Sequence, residues 1–217
     1  MRSPWAREYE RTPDRYIWGI EPSAYAVEAS ALLAPGARVL DLGCGEGRDS
    51  VFFAGRGLTV TGVDASLAGL RKAERLARAR GLDVRWLHCD MARLGLRGPF
   101  DLVYSCGAVH YVPRRTRARL LPLLMRLTRP GGYHAHVVFT DRAIYVEKGE
   151  HIDYFAPGEL AGFYPTWRVL WREETVIPCA QDGTPHGHSV EQVVAQAPPG
   201  RRLDRRPPGL TRGGPPR

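Results

Sequence analysis

Cysteine is scarce in this chain and lysine almost absent. The four cysteines, Cys44, Cys89, Cys106 and Cys179, form no C-x-x-C pair and no regular spacing. That excludes a small disulfide-built domain and a zinc-ribbon pattern, and leaves reduced thiols as the expectation. Of 31 basic residues only Lys72 and Lys148 are lysines, so the positive charge is carried by guanidinium groups. No stretch approaches the ~18 consecutive apolar residues that a membrane helix needs. The opening MRSPWAREYERTPDR also lacks the apolar region of a secretory leader. A cytoplasmic protein with no membrane partner is therefore expected. The absence of any internal repeat excludes a solenoid.

With 217 residues, 43% apolar and 25% charged, the composition is that of a globular protein large enough to bury a core without staples. A net charge of +8 raises the question of a nucleic-acid partner, and the location of the charge answers it. Residues 198–217 hold six Arg, one Asp, six Pro and four Gly, a charge of +5, whereas residues 1–197 hold 25 basic and 22 acidic residues and net +3. The excess belongs to a Pro/Gly/Arg tail with little to bury, which is expected to be disordered. The body carries an ordinary charge, so no nucleic-acid partner is expected. Nothing in the chain speaks to its oligomeric state.

From Pro35 onward, short β-branched runs alternate with longer helical patterns. This is the signature of an α/β fold, a Rossmann-like open sheet, mostly parallel, with helices on both faces. Strands are expected at 37–42, 58–63, 84–88, 100–105 and 133–139, and helices over 50–57, 67–80 and 114–128. Ser66 is placed to cap the second of these helices. Two further strand-like runs, 167–177 and 189–196, flank the turn-rich CAQDGTPHGH and read as an antiparallel C-terminal hairpin. A helix over 21–33 follows the aromatic residues Trp5, Tyr9, Tyr16 and Trp18. The expected division is an N-terminal lid segment and helix (1–34), the α/β domain (35–197) and the tail (198–217).

The sharpest feature is Asp41-Leu42-Gly43-Cys44-Gly45-Glu46-Gly47 at the end of the first strand. Glycines there let the backbone approach a nucleotide-like ligand, and Asp64, ending the next strand, is placed to accept hydrogen bonds from two ribose hydroxyls. A dinucleotide requires G-x-G-x-x-G, but Arg48 stands where the third glycine should be. Asp41 beside the loop would also repel a pyrophosphate and favour a cationic ligand.

On these residues the chain resembles the class I S-adenosylmethionine-dependent methyltransferases over about 35–139. The resemblance implies that S-adenosyl-L-methionine is the cofactor. Asp41, Gly43, Cys44, Gly45 and Gly47 would hold its methionine portion, Asp64 and Ala65 the ribose, and Asp90 and Met91 the adenine. Ser105 and Cys106 end the fourth strand beside it, and Trp18 would close over it. A narrower likeness rests on Tyr16-Ile17-Trp18-Gly19, on Gly45 to Ser50, and on Asp182-Gly183-x-Pro185-His186-x-His188. There the chain looks like the tellurite-resistance methyltransferases of the B type, although Gly187 stands where a basic residue is expected between the histidines. This implies a small-molecule or oxyanion acceptor, such as tellurite or selenite. His110, Tyr111, His186 and His188 are then the catalytic residues, with Arg142 as a further oxygen-orienting group.

Each residue also has a plainer reading. Asp90 can instead cap a helix, although adenine contact is the favoured reading, Cys44 and Cys106 fill a crowded site, and His134 and His136 share a face of strand five as sheet-surface residues. His186 and His188 share a face, but with only Asp182 nearby they lack a convincing third ligand, and no metal is expected. Two other functions stay open: an RNA-directed methyltransferase using the basic tail, and a cofactor-binding regulatory module without catalysis.

Overall fold

The computed structural model describes residues 4–142, 145, 152–180 and 183–200. The expected tail beyond Gly200, and Asp182 of the hairpin turn, lie outside the described residues. Seven strands form one sheet in the order β3-β2-β1-β4-β5-β7-β6. They are β1 (Arg38–Leu42), β2 (Thr59–Asp64), β3 (Arg85–His88), β4 (Phe100–Cys106), β5 (Thr128–Phe139), β6 (Arg168–Cys179) and β7 (His186–Gln196). The first five pair in parallel, while β7 runs antiparallel to both β5 and β6.

Both faces of the parallel sheet are covered, as its near-continuous apolar strands require. Successive residues of a strand point to opposite faces. Accordingly Val39 and Leu102 join one apolar cluster, whereas Leu40 and Val103 join the other. Helices α2 (Ala24–Ser30), α3 (Arg48–Gly55) and α4 (Leu67–Ala79) feed the first cluster through Tyr25, Phe53 and Leu76. Helix α5 (Arg114–Leu127) feeds the second through Leu120, Leu121 and Leu124. Ser66 caps α4 as expected, its Oγ accepting from the Gly69 amide at 3.1 Å.

Four local features differ from the sequence reading. Residues 4–11, read as part of a lid, form helix α1 (Pro4–Arg11), which packs Trp5 and Tyr9 against Ile17. The expected helix over 21–33 is shorter, starting after Ser23, whose Oγ accepts from the Ala26 amide. The hairpin strands reach further than expected, pairing Cys179 with His186 and Ile177 with His188, so both histidines belong to β7. His134 and His136 are fully buried rather than on a sheet surface. Tyr164 hydrogen-bonds His134 at 2.9 Å and Thr128 does so at 2.8 Å. Burial drives the pKa of His134 well below that of free imidazole and that of His136 down to about 3, so both are neutral at pH 7.

Candidate active site

Strand order reverses between β1 and β4, and an open α/β sheet has its ligand crevice at the carboxyl ends of the strands beside such a reversal. A cavity of about 820 Å³ opens there. Its floor is the loop after β1, where Gly43 and Gly45 have φ of +69° and +54°. A Cβ at Gly43 would stand 2.2 Å from the Ala108 Cβ, and one at Gly45 would stand 2.7 Å from the Tyr9 Oη. These two positions therefore require glycine twice over, for conformation and for space.

The carboxylates of the cavity sit at this end. Asp64 ends β2 and accepts from the Gly45 amide at 2.8 Å through one oxygen and from the Ser66 amide at 2.7 Å through the other. An ionised carboxylate offers about four acceptor positions, so acceptor capacity remains for a ligand. Asp41 is 3% exposed and accepts from the Ser50 hydroxyl at 2.5 Å. Burial, then the neighbouring Asp49 charge, push its pKa up to about 8. Asp90 caps a single turn at Met91–Arg93, its Oδ1 accepting from the Ala92 amide at 2.9 Å, and it also lines the cavity. The plain reading and the ligand reading of Asp90 are thus compatible.

Trp5, Tyr9 and Trp18 form the roof beside the glycine loop. The Trp5 indole donates to the Tyr111 hydroxyl at 2.7 Å, and the Trp18 indole donates to the Tyr9 hydroxyl at 3.2 Å. Tyr16 does not reach the cavity lining; its hydroxyl donates instead to the Lys72 carbonyl. Lys72 and Glu46 form an ion pair with both side chains 1% exposed. Glu46 also accepts from the amides of Ile17 and Trp18, each at 3.1 Å. The roof is therefore tied to the floor by a buried charge pair.

Of the residues singled out from the sequence, Trp18, Asp41, Gly43, Cys44, Gly45, Asp64, Ala65, Asp90, Met91, Cys106, Tyr111, His186 and His188 line this cavity. Gly47, Ser105 and His110 do not. A Cβ at Gly47 would stand 2.5 Å from the Ala73 Cβ, so that glycine serves the packing of α3 on α4. The Ser105 hydroxyl donates to the Leu42 carbonyl at 3.0 Å and joins β4 to β1. His110 is fully buried and stacks on Phe139 at 3.9 Å, while His188 stacks on the same ring at 4.0 Å. Two parallel rings that close must occupy opposite faces, so Phe139 separates His110 from the cavity. Burial lowers the His110 pKa and its Nδ1 accepts from the Phe139 amide, so the ring is neutral. Arg142 pairs with Glu174 of β6 at 2.6 Å and stays outside the lining.

Burial pushes the Cys106 thiol up to about 12 and raises Cys44 as well, so neither is a thiolate at neutral pH. Sequence reasoning missed Tyr9, Glu46, Asp49, Phe139 and Cys179. Glu46 and Asp49 were within the quoted loop motif, but nothing in their spacing marks them as buried.

A methyltransferase domain family matches residues 39–132. This stretch is similar to methyltransferase domains. The methyltransferase fold recurs in TehB of Haemophilus influenzae, at TM-score 0.73 and 21% identity over 81% of this chain and 62% of that one. A structure described as converting a disulfide bond into a thioacetal group during echinomycin biosynthesis is similar at TM-score 0.71 and 25% identity, covering 91% and 93%. The 1,6-didemethyltoxoflavin N1-methyltransferase of Burkholderia thailandensis, which holds S-adenosylhomocysteine, is similar at TM-score 0.65 and 23% identity, covering 91% and 92%. The chain spans about half to two thirds of the length of the first curated relatives it matches, 49% and 65%. The cofactor of the methyltransferase domain is S-adenosylmethionine. The cavity fits it, with glycines at 43 and 45 that let the loop backbone approach closely and the carboxylates of Asp41 and Asp64 facing a ligand that carries a sulfonium and an ammonium. Among the described residues no helix is long and apolar enough to cross a membrane.

Proposed function

We propose that the chain transfers a methyl group from S-adenosylmethionine to a small anionic acceptor with a chalcogen at its reacting centre, tellurite and selenite oxyanions foremost. One observation carries this reading: the cavity is divided by charge. Five carboxylates, Asp41, Glu46, Asp49, Asp64 and Asp90, outnumber two arginines, Arg48 and Arg93, in the lining before β4, whereas the lining from Cys106 onward includes Arg115, His186 and His188 and no carboxylate. A cation is favoured at one end and an anion at the other.

In this reading Asp41 and the backbone of Gly43 to Gly45 hold the amino-acid portion of the cofactor. Asp64 accepts from the ribose, Asp90 and Met91 face the adenine, and Trp18 with Trp5 excludes water from above. When bound, the cofactor supplies a methyl on a sulfonium, already a good leaving group, so positioning is the main task left to the protein. Tyr111, His186 and His188 orient the acceptor, and His110 holds Phe139 in place behind them. Four cysteines, none disulfide-bonded to another, support a cytoplasmic location.

Replacing Asp64 tests the cofactor assignment. Asp64→Ala should weaken S-adenosylhomocysteine binding by roughly 1.5 to 3 kcal/mol, the range for hydrogen bonds to a charged group. Unchanged affinity by calorimetry in a folded variant would remove Asp64 from the ribose site. The acceptor assignment is tested by S-adenosylhomocysteine release with a panel of selenite, tellurite, small thiols, amines and phenols. Methylated selenium or tellurium in the headspace is expected with the oxyanions and a thiol reductant. Turnover with amines or phenols alone would overturn the anionic acceptor.

A further inference from the structure

The two histidines of β7 lacked a third ligand in the sequence, and the hairpin register provides one. Cys179 is the cross-strand partner of His186, and His188 stands opposite Ile177. Residues directly opposite in an antiparallel pair share a face, as do residues two apart on one strand. The three side chains therefore converge. A ligand atom from each of Cys179, His186 and His188 lies within 4.8 Å of the other two, and all three line the cavity.

We infer that Cys179, His186 and His188 form a three-ligand site for a zinc ion, whose remaining coordination position opens into the acceptor end of the cavity. One sulfur and two imidazole nitrogens are a ligand set for zinc, and three protein ligands with one open position are the pattern of catalytic rather than structural zinc. The geometry is close to that needed. Nitrogens bound tetrahedrally to one zinc at ~2.0–2.1 Å lie about 3.3 Å apart, and the Nε2 atoms of His186 and His188 are 2.9 Å apart. The His186 ring is already oriented: its Nδ1 donates to the Thr184 carbonyl at 2.6 Å, which makes Nε2, turned toward His188, the nitrogen placed to ligate a metal. Tyr145 stacks on that ring at 3.5 Å, and Phe139 stacks on His188 at 4.0 Å. Both imidazoles are thus held by rings on their faces. Binding would move the proton shared by the two Nε2 atoms to the Nδ1 of His188 and release the proton of the Cys179 thiol.

The open position would take an anionic chalcogen, either a thiolate or an oxyanion oxygen. This part rests on the proposed function; the metal site does not.

The full chain, stripped with chelator and kept reduced with a phosphine, is titrated with zinc and separately with cobalt(II), without cofactor or acceptor. We expect one ion per chain, proton release on binding, and a sulfur-to-cobalt charge-transfer band in the near ultraviolet. Cys179→Ser should abolish that band, and Cys89→Ser should leave it intact. His186→Ala and His188→Ala should each weaken zinc binding by more than the roughly 10- to 100-fold that loss of an outer partner costs. Zinc should raise the melting temperature of the wild type and not that of Cys179→Ser, with retained S-adenosylhomocysteine binding showing that the variant is folded. A cobalt complex without the thiolate band, or a band that survives Cys179→Ser, overturns the site. If the site stands, a small thiol or selenite added to the cobalt form should shift its visible spectrum. No shift overturns the open position. Loss of methyl transfer with the metal site intact would count against the proposed function alone.

Discussion

Lys72→Met is expected to release the N-terminal segment from the glycine loop and to cost about 3–5 kcal/mol of stability, the penalty for breaking a buried pair by removing one partner. The magnitude follows from what is left behind. Glu46 would stay 1% exposed with no cation, still holding the amides of Ile17 and Trp18. Lysine suits this place in a chain otherwise built on arginine because an ammonium is a compact charge with three donors. Lys72 uses them on Glu46, on the Thr12 carbonyl at 2.8 Å and on the Arg15 carbonyl at 2.6 Å. The rings of Tyr9 and Tyr16 flank it at 5.5 and 5.6 Å. Urea unfolding should show the loss. Hydrogen exchange at the Ile17 and Trp18 amides should accelerate beyond the rest of the fold, and cofactor affinity should fall because Trp5, Tyr9 and Trp18 roof that end of the cavity. Adding Glu46→Gln to Lys72→Met removes the orphaned charge and should recover part of the stability. An unchanged unfolding midpoint in the single variant would mean that the pair does not anchor the segment.

The same pair shows where sequence reading stops. The order of strands and helices was legible because each parallel strand buries both faces and prints an apolar run, as ARVLDL and LTVTGV do. The glycine loop was legible because positive φ and close approach admit few other residues. Glu46 and Lys72 were not, since their partnership spans 26 residues and depends on how α4 packs beside the loop. His134 and His136 were assigned correctly to one face of β5, but period two does not say what covers that face. Tyr164 and Trp167, arriving after the parallel sheet is complete, cover it. Cys179 was invisible for a related reason: a hairpin's register is fixed by the length of its turn, and a slip of one residue would have turned that thiol to the other face. The His110 placement failed by one layer, because an aromatic ring one strand away intervenes.

Asp41→Asn is expected to stabilise the ligand-free protein while weakening its hold on the cofactor, and the pH dependence separates these effects. The folded pKa of Asp41 is raised from 3.8 to about 8, by burial first and by the Asp49 charge second. A raised carboxyl pKa favours the neutral form on folding. Below pH 3.8 the group is protonated in both states and costs nothing. Between 3.8 and 8 the unfolded chain is ionised and the folded chain is not, so stability falls by up to ~1.4 kcal/mol for each pH unit. Above 8 the penalty is complete. Asparagine carries no such penalty and can still accept from the Ser50 hydroxyl. Its melting temperature should therefore match the wild type near pH 4 and exceed it by a widening margin up to pH 8. A bound ammonium reverses the argument, because an adjacent cation lowers the pKa of Asp41 and draws a proton out of the complex. Wild-type affinity for S-adenosylhomocysteine should then rise from pH 6 to 8 with proton release, while that of Asp41→Asn stays flat and weaker. Calorimetry in two buffers of different ionisation enthalpy measures that proton directly. Equal affinities and equal proton counts would place the ammonium elsewhere. The expected result makes Asp41 a carboxylate kept at a cost in stability because its charge is needed only when the ligand arrives.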